Sequence, residues 1–237
     1  MSPRLPPLLQ RAALQRGAAL GLWALVLLRS CFDGRLDLLL RAVYHPLVAL
    51  AGALLLLLAL LQLGVGLRAP GGAERSPRRQ GLMLLLSAAL ALAVLAWPPA
   101  PSFADLAGQR PRDDTAESEL SFVLPPAQRS LTDWVRLLRS QSDPRLFEGD
   151  PVRISGFVLP MPGGEPEIAR LLVRCCLADA APVGLPVRWP VGSQPRADQW
   201  LRLEGRMAVE AGPDGDRLVV VPRRIEPIAR PARPLEP

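Results

Sequence analysis

The chain has 237 residues, 49% of them apolar and only 5% aromatic, with a mean hydropathy of +0.20. That excludes a wholly disordered chain, and the crowding of apolar residues into the first 97 positions argues against an ordinary soluble globule. All 28 basic residues are arginine and His45 is the one histidine. The chain therefore has no Schiff-base lysine, no phosphate loop of the Walker type, no multi-histidine metal site and no catalytic triad in its second half. The net charge is +6, but the excess lies wholly in residues 1–100. The second half is close to neutral and lacks the electrostatic footprint of a nucleic-acid binder.

Three apolar segments come first. Gly17–Leu28 is short and reaches spanning length only when extended to about residues 12–32, with Arg16 and Arg29 at its ends. It also has the form of a signal-peptide core behind Arg4, Arg11 and Arg16, and Leu28-Arg29-Ser30-Cys31 has a faint lipoprotein-box pattern. The second segment covers residues 46–67. The third covers residues 81–97 and ends in Trp97-Pro98-Pro99, an interfacial aromatic followed by helix-ending prolines. The expectation is a transmembrane region over residues 1–97 with three spans.

Orientation follows from arginine. Arg4, Arg11 and Arg16 precede the first span, and Arg68, Arg75, Arg78 and Arg79 lie between the second and third. With three spans these seven share one side, which the positive-inside rule makes the cytoplasm. The expected location is the inner or plasma membrane, with the bilayer as one partner and everything after Trp97 outside the cytoplasm.

Residues 98–128 read as a Pro-rich linker. Ser130 is a plausible helix cap, and Leu131, Trp134, Val135, Leu137 and Leu138 share one helical face. Alternation then predicts five short strands: residues 152–158, 168–176, 184–189, 200–209 and 218–221, the last after Pro213-Asp214-Gly215. The fold class expected is membrane α plus a small all-β, OB-like domain over residues 129–226 with one leading helix. Residues 227–237 read as an extended tail, and no internal repeat is visible.

The richest stretch is Arg174-Cys175-Cys176-Leu177-Ala178-Asp179-Ala180, followed by Gly184-Leu185-Pro186-Val187. Placed at the end of a strand over 168–176, Cys175 joins Leu171 and Val173 on an apolar face, and Cys176 joins Arg170 and Arg174 on a polar one. Three readings stay open. The pair is structural, with one thiol buried. It is a disulfide, which an oxidising location favours, although adjacent Cα atoms about 3.8 Å apart are closer than the usual bridge allows. Or Cys175, Cys176 and Asp179 bind zinc or another soft metal, with a partner supplying the missing ligands. Asp179 also reads as a turn cap. His45, beside the helix-starting Pro46, reads as an interfacial residue or as a ligand or proton relay within a complex. A thiol oxidoreductase is disfavoured, since the second half has no His or Lys to lower a thiol pKa.

These residues also resemble a family. Gly156-Phe157-Val158, the Cys-Cys-x-Ala-Asp-Ala core, Gly184-Leu185-Pro186-Val187 and Trp200-Leu201-Arg202-Leu203-Glu204-Gly205 are similar to a bacterial membrane-protein family of YcgQ type. Tyr44-His45-Pro46 resembles the family's Tyr-Ile-His-Pro element, one residue shorter. The resemblance spans about residues 12–231. The 69–80 loop and the absence of an aromatic ending depart from the family pattern without touching the core motif. Members are described as permease subunits. The resemblance thus implies a non-enzymatic accessory subunit of a membrane permease complex, partnered by a multi-spanning permease subunit. The alternative is a membrane-tethered, extracytoplasmic metal- or ligand-binding module.

Overall fold

The computed structural model describes residues 7–68, 78–97, 101–111, 124–141, 143–212 and 215–236. The chain divides into two compact units, residues 1–100 and 101–237.

The first unit is helical: α1 (Pro7–Phe32), α2 (Leu36–Leu39), α3 (His45–Arg68) and α4 (Arg78–Ala96). Small residues let α1 and α3 approach closely. A Cβ on Gly17 would press on Leu63, and one on Gly52 would press on Leu28. Among the described residues the buried positions of the unit are mostly alanine and glycine, with Ala13, Ala19, Ala24, Ala59 and Ala91 among them. Two polar links tie in α4: Trp23 Nε1 donates to Ser87 Oγ at 2.9 Å, and Arg35 donates to the Val94 carbonyl at 3.3 Å.

Among the described residues one helical stretch, Ala42–Leu67, is long and apolar enough to cross a membrane. The other two expected spans differ in detail. α1 is 26 residues long but contains Arg11, Arg16 and Arg29. α4 is apolar only over Gly81–Ala96, shorter than the roughly 20 residues that cross a bilayer upright. Arg4, Arg75 and most of the 69–80 loop lie outside the described residues.

The second unit is built on β1 (Pro151–Leu159), β2 (Glu167–Leu172), β3 (Ala181–Pro186), β4 (Trp200–Gly212), β5 (Gly215–Pro227) and β6 (Leu235–Glu236). The sheet order is β3-β2-β1-β4-β5, with every neighbour antiparallel. A parallel bridge from Val187 to Val220, with the Arg188 amide on the Val220 carbonyl at 2.9 Å, links the two ends of that order. The antiparallel sheet therefore turns back on itself. Of the sequence turn at 213–215, only Gly215 is described, at φ 118°, a region open to glycine.

Two helices cover the sheet. The first is α6 (Leu131–Ser140), which starts with a capping box: the Ser130 hydroxyl accepts from the Asp133 amide, and Asp133 accepts from the Ser130 amide. Its Leu131, Trp134 and Leu137 pack with Val152, Ile154, Ile168, Leu203 and Val220. The second is α5 (Phe103–Gly108), capped by Ser102 and lying within the stretch read from the sequence as linker. Phe103, Ala104 and Ala107 pack with Phe157, Leu171 and Trp200. The Phe103 ring meets Trp200 edge-on at 6.0 Å and lies 5.8 Å from Phe157. Residues 98–100 and 112–123 of that stretch lie outside the described residues.

Coverage on both faces explains why β2 shows no alternation, since all of Ile168 to Leu172 is buried. Close approach also fixes two glycines. A Cβ on Gly156 would strike the Ala169 carbonyl, and one on Gly205 would strike the Val221 carbonyl where the β4–β5 register shifts.

The tail is not merely extended. β6 pairs parallel with β2 at Leu171 and Leu172, and Glu236 meets Arg170. The Arg170 guanidinium is buried against the Trp200 ring at 5.0 Å. It donates to the Ser155 carbonyl at 2.8 Å, the Ser155 hydroxyl at 3.0 Å and the Pro234 carbonyl at 3.3 Å. Its Nε lies 3.3 Å from Glu236, whose carboxylate also accepts from the Thr132 hydroxyl of α6. Burial pulls the Arg170 pKa down and Glu236 pulls it up, the first effect being larger.

Candidate functional site

The strand that the sequence extends to Cys176 stops at Leu172. Cys175 and Cys176 lie in the β2–β3 connection, before a 3-10 turn over Leu177–Asp179, and both are half-buried. This corrects the placement of one thiol on an apolar face and the other on a polar face. The cause is local. Asp179 turns its carboxylate back on the chain and accepts from the Arg174 amide at 3.1 Å and the Cys175 amide at 2.8 Å. Those amides are lost to any strand ladder, so the chain leaves the sheet.

Asp179 is thus a cap, as one sequence reading expected, but it caps residues four and five positions before it. A second clamp comes from just beyond α5. Arg110 Nη1 donates to the Leu177 carbonyl at 2.8 Å and the Ala180 carbonyl at 2.7 Å. Sequence reasoning missed Arg110, because it follows a short helix hidden among prolines.

The clamps gather chemistry. The ligand atoms of Cys175, Cys176 and Asp179 all lie within 4.8 Å of one another. The two sulfurs are 3.4 Å apart, a contact between two thiols and not a bond, with Cys175 donating. A hydrogen bond to Asp179 and another to Cys176 push the Cys175 thiol up from 9.0 to about 12. The same thiol and the loop amides hold the Asp179 carboxyl below its usual range, although desolvation opposes them. The arrangement holds the Cys175 thiol in its protonated form beside a carboxylate. It offers a metal two sulfurs and an oxygen, and it does not offer a free thiolate nucleophile.

His45 and Pro46 belong to the helical unit. His45 opens α3, and its Nε2 lies 3.4 Å from the Leu40 carbonyl. The third cysteine, Cys31, is also in that unit, with its thiol 3.3 Å from the Leu27 carbonyl.

No curated protein and no solved structure gives a significant match to the chain. Residues 130–234, from the cap of α6 to the threshold of β6, match the family model described as the DUF1980 C-terminal domain; the β unit that carries the Cys loop is similar to that domain.

Proposed function

We propose that the chain is a non-enzymatic accessory subunit of a membrane permease complex. In this reading α1, α3 and α4 form a three-span anchor, and the β unit, an OB-like barrel in its strand order, lies outside the cytoplasm. The observation that carries the reading is the makeup of the helical unit. The stretches 17–28, 46–67 and 81–96 contain no charged residue, and the described buried positions between the helices are small or apolar. Solute paths through membranes are lined by polar or ionisable side chains. A unit packed on alanine and glycine anchors and assembles; it does not conduct. Its outward leucines, Leu50, Leu54, Leu57 and Leu61 of α3 among them, suit lipid and the helices of a larger partner. The arginine distribution supports the orientation, and the YcgQ-type resemblance supports the multi-spanning permease as partner.

The test is gentle extraction of the full chain from its native membranes. A multi-spanning protein is expected to co-purify in stoichiometric amount, and to be lost when residues 7–97 are replaced by an unrelated single span. A chain that purifies alone, or a chimera that keeps the partner, overturns the reading.

The Cys loop favours a second, compatible role for the β unit as a tethered metal- or ligand-binding module.

A further inference from the structure

We propose that Cys175, Cys176 and Asp179 bind one zinc-class divalent cation, with the fourth coordination position open to a donor from another molecule. This rests on the binding-module role of the β unit and is independent of the permease partnership.

The donor set selects the metal. Two sulfurs and one carboxylate suit zinc, cobalt or cadmium, whereas calcium and magnesium take oxygen alone. The spacing is close to what is needed. Two sulfurs on one tetrahedral zinc, each at about 2.3 Å, are about 3.8 Å apart. The observed 3.4 Å opens to that by small side-chain rotations. Both thiols lose a proton on coordination, and the two protons pass to solvent.

The surroundings are already arranged. Asp179 is oriented by the Arg174 and Cys175 amides, which serve as the outer shell that ligating carboxylates require. Arg110 fixes the two carbonyls that flank the turn. Two thiolates, one carboxylate and a divalent ion sum to one negative charge, which the Arg110 guanidinium balances.

The open position follows from composition. Residues 101–237 hold no histidine and no cysteine beyond Cys175 and Cys176. Among the described residues no further carboxylate joins the cluster. The β unit buries two apolar clusters of its own, and a half-exposed three-donor site in a loop suits an ion that is received and passed on more than a folding staple.

Cobalt(II) is the probe, added to the reduced full chain in detergent. A thiolate-to-cobalt charge-transfer band at one equivalent is expected. It should weaken at least tenfold in apparent affinity for Cys176→Ser and for Asp179→Asn, and remain unchanged for Cys31→Ser. Added imidazole should then shift the visible cobalt bands, because it takes the open position. Absence of the band, its survival in Cys176→Ser or Asp179→Asn, or its loss in Cys31→Ser overturns the site. A normal band that ignores imidazole overturns the open position alone. Neither result bears on co-purification of a permease partner.

Discussion

Arg170→Met is expected to destabilise the β unit by about 3–5 kcal/mol, the range for removing one partner of a buried ion pair. The methionine keeps most of the apolar stem but removes every donor to Ser155, Pro234 and Glu236. The Glu236 carboxylate keeps the Thr132 hydroxyl but loses the cation beside it. Arg170→Lys should fall between, since an ammonium cannot span Ser155 and Glu236 as the planar fork does. Arg170→Met combined with Glu236→Leu should recover part of the loss, because no unpaired charge remains. Urea denaturation of the full chain in detergent, followed by tryptophan fluorescence, measures all three. A loss below about 1 kcal/mol for Arg170→Met would show that the C-terminal strand docks without its ion pair.

The second large effect concerns thiol reactivity. Hydrogen bonds to Asp179 and Cys176 push the Cys175 thiol well up from its ordinary range, so it holds far less thiolate at neutral pH than an ordinary cysteine. The more basic thiolate is also more nucleophilic, which offsets part of that difference in rate. Asp179→Asn replaces the carboxylate whose hydrogen bond is the largest cause with a weaker, neutral acceptor, so Cys175 should alkylate at least about tenfold faster at pH 7.5. Site-resolved mass spectrometry after iodoacetamide treatment reads the rate. The midpoint of the pH profile separates a lowered pKa from simple exposure, because only the former moves it down. An unchanged rate and midpoint would mean that Asp179 does not hold the proton on Cys175. The linked stability has a definite sign. The fold favours the neutral thiol, so this contribution is complete below pH 9 and is lost as pH rises toward 12. Asp179 is favoured as the anion, so its contribution is present above the ordinary carboxylate range and is lost in acid.

The elements that could be read from sequence are those with one covered face or a local signature. α6 shows both a capping pair, Ser130 and Asp133, and a single apolar stripe. β4 alternates, with Leu201, Leu203 and Met207 buried and Arg202, Glu204 and Arg206 not. β2 was legible as a strand, but its end was not: the reading ran on to Cys176 where the strand stops at Leu172, because both of its faces are covered and no change of pattern marks the exit, and Arg170 in its apolar run is the trace of the buried ion pair. α5 and β6 are too short to produce a period. The three candidate ligands were legible as residue types. Their geometry was not, because it depends on a carboxylate that caps backwards and on Arg110, which follows a short helix and lies 67 residues before its partner Leu177.

The account as a whole rests on an anchor in the bilayer with the Cys loop exposed outside the cytoplasm. A membrane-impermeant maleimide applied to intact cells expressing the Cys31→Ser chain tests this most directly. The account predicts labelling at the Cys175–Cys176 pair without permeabilisation; labelling that appears only after the membrane is opened would contradict it.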